Sequence, residues 1–395
     1  MLESIYVGMT GLLGYSRGLR VIANNTANMN TPGFKSSSLQ FADLFYSGGN
    51  LSGGNASQNY NQVGFGLNTT GTTMSFKQGE LRQTGNELDM AVDGQGLFAL
   101  KDAEGKISYT RAGQFKFDTD GVLVSRDNGE KVMGLGSNGE FVQISLAGQM
   151  TNLGKPTSRI KLSGNLSNTV TEQTASGITA IDAAGASHTL SLKFSVLSAT
   201  TAGTEMKVEL MDGTSVAGSG TMVFSGGKPT SETALMSMTY SPAGQSPMQL
   251  TLDFSTDVVF FAGQTTLAMD SQDGVGPGTL TGTVFDANGA LRMSYSNGQT
   301  ATGARLALAR FDTPDAVGAL GDNQFEVLDK NAWHLGFAGE GAFGQVHSGQ
   351  IEISNVDLSQ EFSDLVIMQR GYQASSQVIS TANDMLQELF SMKSK

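Results

Sequence analysis

Apolar residues at both ends of the chain recur at three- and four-residue spacing, which is the spacing of one face of an α-helix. The first stripe precedes the turn-forming residues 30–33 (NTPG), which predict the end of the first helix. The second stripe is long enough to pack along a partner helix as in a coiled coil. The N-terminal stripe consists of Ile5, Met9, Leu12, Leu19 and Ala23. The C-terminal stripe consists of Leu358, Phe362, Leu365, Met368, Tyr372, Ile379, Ala382, Leu386 and Leu389.

Local signals refine both helices. Asn355 or Asp357 can cap the start of the C-terminal helix, because a short polar side chain accepts hydrogen bonds from the first free amides. The N-terminal helix contains Gly8, Gly11, Gly14 and Gly18. Each glycine costs about 1 kcal/mol of helix propensity relative to alanine. A small-residue face that lets a neighbouring helix approach closely would offset this cost.

Between the helices, apolar and polar residues alternate with period two, which predicts strands. Asn-Gly pairs begin at 128, 138, 288 and 297, and Asp-Gly pairs begin at 93, 120, 212 and 273. Such pairs favour tight hairpins, so the middle is predicted to be antiparallel β. The clearest alternations are Leu190, Leu192, Phe194 and Val196; Met206, Val208 and Leu210; and Met248, Leu250, Leu252 and Phe254.

The predicted fold is mainly β with α-helical termini that pair as a coiled-coil-like inner domain around nested antiparallel β domains. Residues 146–286 are rich in Thr, Ser, Gly and Ala, so we interpret them as a separate domain inserted into another. The expected divisions are 1–34 with 355–395 as the helical inner domain, 35–69 as a linker with an extended loop at 47–61, 70–145 with 287–354 as a β middle domain, and 146–286 as an inserted β outer domain.

Composition limits the partners and the chemistry. Charged residues are only 15% of the chain and the net charge is −12, which argues against nucleic acid and anionic membrane surfaces as partners. There is no cysteine, so disulfides and thiol chemistry are excluded. The N-terminus lacks the features of a cleaved secretion signal, and no stretch approaches the ~20 apolar residues of a membrane span.

Catalytic and metal-binding motifs are weak. A G-x-S-x-G string surrounds Ser16, but it lies inside a predicted helix rather than at a strand-to-helix turn. A G-x-G-x-x-G string at 134–139 precedes a strand rather than a helix, and residues 118–121 resemble a calcium loop without its bidentate glutamate. His188, His334 and His347 share no ligand spacing. No catalytic residue, metal site or cofactor is predicted, although a glycosidase with acids distant in sequence stays open.

Four stretches carry specific motifs. Residues 24–35 read NNTANMNTPGFK, residues 83–98 read QTGNELDMAVDGQGLF, residues 109–115 read YTRAGQF, and residues 349–358 read GQIEISNVDL, followed by QRGYQA at 369–374. Together they resemble the flagellar rod-hook axial protein family, except that Thr26 stands where the family has an aliphatic residue. Its N-terminal motif corresponds to Asn24, Asn25, Ala27, Asn28, Thr31, Gly33, Phe34 and Lys35.

The resemblance implies a structural subunit, not an enzyme, that self-assembles through its terminal helices into a tubular helical polymer. The chain length and the middle insertion favour a hook subunit over a distal rod subunit. A hook is a curved tube and universal joint that passes motor torque to the filament. Implied partners are copies of itself, the distal rod protein, the hook cap protein, the hook-filament junction protein and the flagellar export apparatus. The implied location is the extracellular flagellar hook, reached by type III export without a cleaved signal peptide. A distal rod protein, or a secreted β-rich adhesin or glycosidase, is the alternative.

Overall fold

The computed structural model describes residues 2–44, 46–48, 62–136, 138–200 and 203–393. Two helices enclose the strands in sequence: α1 spans Leu2–Ala27 and α2 spans Leu358–Lys393. Helix α1 ends at Ala27 and a turn follows, close to the stop predicted at 30–33. Pro32 and the positive φ of Gly33 do not fit a continuing helix. The mainly β fold with paired terminal helices is therefore confirmed.

The chain divides into two compact units. Unit 1 comprises 1–147, 283–292 and 302–395, and unit 2 comprises 148–282 and 293–301. The first strands of unit 1 are β1 (Ser37–Asp43), β2 (Tyr46–Gly48), β3 (Gln62–Gly64), β4 (Leu67–Met74), β5 (Leu81–Gln83), β6 (Met90–Asp93), β7 (Leu97–Lys101), β8 (Ile107–Thr110), β9 (Phe115–Phe117), β10 (Leu123–Ser125), β11 (Lys131–Leu135) and β12 (Phe141–Gln143).

The chain then forms unit 2. Its strands are β13 (Thr151–Asn152), β14 (Arg159–Ser167), β15 (Glu172–Ile181), β16 (Ser187–Thr200), β17 (Gly203–Asp212), β18 (Ser215–Ser225), β19 (Lys228–Pro229), β20 (Leu235–Tyr240), β21 (Met248–Asp253), β22 (Val258–Phe261) and β23 (Ala268–Gln272). The unit boundaries fall within β24 (Gly278–Phe285), β25 (Ala290–Tyr295) and β26 (Thr300–Arg305).

The last strands return to unit 1. They are β27 (Leu308–Phe311), β28 (Val317–Gly321), β29 (Gln324–Val327), β30 (Trp333–Gly336), β31 (Gln345–Ser348) and β32 (Gln350–Glu352), with short 3₁₀ turns at Pro314–Ala316 and Lys330–Ala332. The main sheet of unit 1 has the order β28–β29–β8–β7–β11–β10–β9, and β27 joins it at β7. Smaller pairs, including β31 with β6 and β32 with β5, complete unit 1.

Unit 2 contains a five-stranded sheet in the order β15–β16–β17–β18–β19 and a second sheet built around β14. The inward residues of β16, β17 and β21 are those that alternate in the sequence, and Leu192, Val208 and Leu252 are fully buried. Two pairings depart from the antiparallel rule, because β14 lies parallel to both β21 and β22. Parallel neighbours need a long crossover, which the chain between β14 and β21 supplies.

The segment expected to be a linker contains regular structure. Strand β1 pairs antiparallel with β4, and the hairpin packs on α1. Most of the loop predicted at 47–61 lies outside the described residues. Most Asn-Gly and Asp-Gly pairs join paired strands as predicted, but those at 93 and 273 do not, since each lies between strands that do not pair.

Candidate self-assembly site

Glycines on α1 let the two helices approach closely. A β-carbon added at Gly11 would lie 2.6 Å from Ser375 Oγ, and one added at Gly18 would lie 2.9 Å from Met368 Sδ. A β-carbon added at Gly8 would lie 2.8 Å from Ile379 Cγ1. Three of the four glycines predicted to form a small-residue face therefore contact α2. The fourth, Gly14, faces the β1–β4 hairpin instead, where an added β-carbon would lie 2.4 Å from Leu67 Cδ1.

The predicted C-terminal stripe divides between two faces of α2. Leu358, Leu365, Met368, Ile379 and Leu386 are half-buried, whereas Phe362, Tyr372 and Leu389 are exposed. The role of these residues in assembly stays a prediction. They do not all pack against one surface within the chain, because some are half-buried and others are exposed.

The N-terminal stripe shows the same division. Ile5, Leu12 and Leu19 are half-buried, whereas Met9 and Ala23 are exposed. Sequence reasoning missed further exposed apolar residues, because it looked for one stripe on each helix. The signal was present, since helices with large apolar residues on more than one face need more than one partner. The missed residues are Tyr6, Val7, Leu13, Val366, Ile367, Val378, Met385, Phe390 and Met392.

Asp357, rather than Asn355, caps α2. Its carboxylate accepts hydrogen bonds from the amides of Ser359 at 2.8 Å and Gln360 at 3.3 Å, which are free because they begin the helix. Asn355 instead links strands: it accepts from the Ser36 amide at 2.8 Å and donates to the Ser75 carbonyl at 2.7 Å. The two candidates therefore have different functions.

A buried ion cluster joins the four sequence motifs. Glu352 is 1% exposed; it accepts from Lys35 Nζ at 2.7 Å and from Arg111 Nε. The Arg111 guanidinium also donates to the carbonyls of Gly94, at 2.7 Å, and Gly96. Lys35, Gly94, Arg111 and Glu352 come from the first, second, third and fourth motifs, so this cluster brings the four motifs together in space.

Opposite charges decide the ionisation of Glu352. Burial alone would raise its pKa, but Arg111, Lys35 and the Gly79 amide hold the pKa of Glu352 below its ordinary value. Burial lowers the pKa of the Lys35 ammonium, and the Glu352 carboxylate opposes that shift. The cluster is stable only when every charge keeps its partner, because an unpaired buried charge is strongly destabilising.

Gly33 permits the close packing beside this cluster. Its φ is +73°, and an added β-carbon would lie 2.5 Å from the Ala112 amide nitrogen and 2.7 Å from the Arg111 carbonyl carbon. Its own amide donates to the Glu352 carbonyl at 2.8 Å. Only glycine fits both the backbone conformation and the space.

The remaining residues of the N-terminal motif shape the end of α1. Asn25 is buried; it donates to Glu361 Oε1 of α2 and to the Ser37 carbonyl, each at 2.8 Å. Burial raises the pKa of Glu361, although Asn25 stabilises its charged form. The other members act locally. Ala27 is the last residue of α1, and the Asn28 side-chain amide donates a hydrogen bond to the Asn24 carbonyl. The Thr31 hydroxyl donates to the Asn28 side-chain oxygen, and the Phe34 carbonyl accepts from the Asn355 backbone amide.

The weak catalytic motifs have structural explanations. Ser16 lies inside α1. Gly134 belongs to β11, and Gly136 and Gly139 lie between the paired strands β11 and β12. The Asp118 carboxylate accepts hydrogen bonds from the amides of Asp120 and Val122 in its own turn. The histidines form separate pairs with Asp182, Asp312 and Asp93. Among the described residues, no group of three or more acids or histidines is placed to hold a metal ion.

Neither α1 nor α2 meets the length and apolarity that a membrane-crossing helix requires, within the ranges that the structure describes.

Comparison with known families matches three sequence models in chain order. "Flagella basal body rod protein" matches residues 5–35, "Flagellar hook protein FlgE/F/G D1 domain" matches 91–168, and "Flagellar basal body rod FlgEFG protein C-terminal" matches 347–392. The matched regions include the two helices and the ion cluster between them.

Similar proteins include hook proteins over their full length. The flagellar hook protein FlgE of Escherichia coli is 29% identical, with 98% of each chain covered. FlgE of Borreliella burgdorferi is 28% identical, with 100% of each covered. The match to the Helicobacter pylori flagellar hook protein FlgE2 structure covers 67% of this chain and 99% of that chain, at 14% identity and a TM-score of 0.46.

The three matches, in the same order along the chain, support membership of the flagellar rod and hook protein family. Within that family, the full-length relatives support a flagellar hook protein and do not favour a rod protein.

Proposed function

We propose that this chain is the subunit of the flagellar hook. It self-assembles through α1 and α2 into a curved tube, which acts as a universal joint between motor and filament. Its role is structural rather than enzymatic. The proposal is supported by the full-length similarity to hook proteins and by the surface of the two helices.

The exposed apolar surface of α1 and α2 is the observation that carries the proposal. Ile22 and Ala382 are the buried apolar side chains of the two helices within the described residues, while large side chains such as Ile367 and Phe390 face outward. Soluble monomers rarely leave such extended apolar surfaces uncovered. Neighbouring copies in a tube would bury them, because head-to-tail contacts that do not close produce a helical polymer.

The domain divisions predicted from the sequence fit a layered tube. The helices of 1–34 and 355–395 would form the inner layer, 70–145 with 287–354 the middle layer, and 146–286 the outer layer. In this arrangement the apolar helices of neighbouring copies pack against one another. The outer domain is polar and sparsely charged, so its copies can slide past one another as the tube bends.

The proposed partners are copies of the chain, the distal rod protein, the hook cap protein and the hook-filament junction protein. The flagellar export apparatus would bring the subunit to the extracellular hook. These partners follow from the family and from the position that a hook occupies between rod and filament.

Electron microscopy of purified protein tests the proposal. The full-length chain is expected to form curved tubes. A chain trimmed to 35–355, which keeps Lys35 and Glu352 but lacks both helices, should remain monomeric. Straight tubes would favour a rod subunit. If neither chain assembles and both melt at the same temperature, self-assembly through the helices is wrong.

The outer domain has its own test. A chain in which 146–286 is replaced by a short Gly-Ser linker is expected to form tubes that have lost curvature. Failure to assemble at all would show that this domain also holds the tube together.

A further inference from the structure

We propose that a groove beside α1 binds the acidic end of α2 from a second copy of the chain. The inference rests on the proposed self-assembly and specifies which surfaces meet. The groove lies between α1 and the β1–β4 hairpin, all within unit 1. Its lining consists of Arg17, Arg20, Val21, Asn24, Ser37, Leu39 and residues 69–72.

The groove contains positive charge that the chain itself does not neutralise. Arg17 donates to the Thr69 hydroxyl, and neither Arg17 nor Arg20 contacts a carboxylate within the described part of the chain. The two arginines are three residues apart on α1, so their side chains lie on one face, about one helical turn apart. The groove therefore presents two adjacent guanidinium groups to an acidic partner.

The end of α2 presents the complementary charge. Asp384 and Glu388 are exposed, are four residues apart on one face of the helix, and contact no cationic side chain among the described residues. This acidic pair is thus available to an external cation.

The groove and the acidic pair cannot meet within one chain. Helices α1 and α2 run antiparallel, because Gly11 faces Ser375 while Asn25 approaches Glu361. Asp384 therefore lies at the level of the start of α1, far along the helix pair from Arg17 and Arg20. At a rise of 1.5 Å per residue, the two sites are separated by roughly 28 Å along the helices.

A second copy displaced along its helices by that distance brings the two sites together. Two carboxylates one turn apart then face two guanidinium groups with similar spacing, which is the geometry for charge-assisted hydrogen bonds. Apolar side chains flank both partners: Met385 and Leu389 follow the acids and are exposed, while Val21 and Leu39 line the groove. The interface thus combines charge pairing, which fixes the register, with apolar burial.

Charge reversal with rescue tests the contact. One variant carries Arg17→Glu with Arg20→Glu, the second carries Asp384→Lys with Glu388→Lys, and the third carries all four changes. Each two-residue variant is expected to raise the critical concentration for polymerisation by about tenfold or more, because like charges then oppose each other. The four-residue variant should return close to the wild-type value.

The design separates this contact from general charge effects. The two reversals change net charge in opposite directions, yet both should impair assembly. Matched control reversals on exposed residues of unit 1, Arg82→Glu with Lys131→Glu and Glu80→Lys with Glu104→Lys, should leave the critical concentration unchanged. Reversal variants that polymerise like wild type, or a four-residue variant no better than its parents, would overturn the inference. Failure of the wild-type chain to polymerise would instead overturn the proposed function.

Cross-linking provides a second readout that does not depend on folding of charge variants. The chain has no cysteine, so Thr70→Cys in the groove and Gln387→Cys beside Glu388 introduce the only thiols. A short bismaleimide added to assembled tubes is expected to give a ladder of covalent oligomers. Cross-linking confined to single chains, or none, would show that these surfaces do not meet between copies.

Discussion

The ring of Tyr15 on α1 lies against Gly371 on α2, where an added β-carbon would come within 2.5 Å of two ring carbons. No larger residue at this position leaves room for the ring without moving a helix or turning the side chain. The contact therefore sets how closely the two helices approach at this level. Since both helices carry the proposed assembly surface, their separation also sets the shape of that surface.

Gly371→Leu is expected to weaken assembly by separating the helices. Overpacking a tight contact typically costs about 1–3 kcal/mol, and 1.4 kcal/mol corresponds to roughly a tenfold change in an equilibrium constant. The critical concentration for polymerisation measures the effect. Adding Tyr15→Ala to the same chain should restore part of the loss by vacating the space. An equally impaired double variant would show that the ring contact is not the cause.

Glu352→Gln is expected to destabilise unit 1 strongly at neutral pH. The substitution leaves Lys35 and Arg111 buried without their carboxylate, and breaking a buried pair costs about 3–5 kcal/mol. Trp333 is the one tryptophan of the chain and belongs to unit 1, so its fluorescence during urea unfolding reports this unit. The matched control Glu326→Gln removes an exposed pair with Lys106 and should cost less than about 1 kcal/mol.

The same carboxylate predicts a pH dependence. The folded pKa of Glu352 lies below its ordinary value of 4.5, so its ionisation stabilises the fold above that pH. This stabilisation is lost as pH falls through the folded pKa. The difference in unfolding free energy between wild type and Glu352→Gln should therefore shrink in acid. A difference that stays constant down to strongly acidic pH would contradict the role given to Glu352.

Gly33→Ala and Gly129→Ala form a matched pair for the role of Gly33. Both glycines have nearly the same positive φ, +73° and +74°, but a β-carbon at Gly129 would meet nothing within 4 Å. Gly129→Ala should cost only the backbone strain of about 1–2 kcal/mol. Gly33→Ala should cost clearly more, because it also pushes on the backbone of Ala112. Equal losses in urea unfolding would mean that the close approach is unimportant.

Amide hydrogen exchange tests whether the helices depend on neighbouring copies. So few of their large side chains are buried within the chain that α1 and α2 should be weakly protected in the free monomer. Incorporation into tubes should slow exchange in both helices while leaving the core strands β7 and β16 nearly unchanged. Strong protection of α1 and α2 in the monomer would contradict coupled folding and assembly.

Local patterns predicted much of the fold. The alternation in β16 and β17 identified their buried residues, because one face of each strand packs on a core of apolar neighbours. The turn at 30–33 located the end of α1 for a similarly local reason. The parallel pairing of β14 with β21 could not be predicted, since its partners are far apart in the chain and no short turn joins them.

The residues of the candidate self-assembly site were harder to predict from the sequence than the fold was. Helical spacing grouped Phe362 and Tyr372 with Met368, but spacing alone does not distinguish a side chain that packs within the chain from one that faces outward. Arg111 and Glu352 were identified only as members of separate motifs. Their pairing depends on a contact between residues 241 positions apart, which a single sequence does not encode locally.

The Lys35–Glu352 ion pair has a mechanical consequence. Lys35 follows α1 and Glu352 precedes α2, and their charged atoms are 2.7 Å apart, so the chain enters and leaves the strands of unit 1 at one place. Tension applied along the helix pair therefore reaches the strands at two neighbouring points, Lys35 and Glu352. The strands are then pulled as one body rather than separated from opposite ends, and the salt bridge resists sliding of one point past the other.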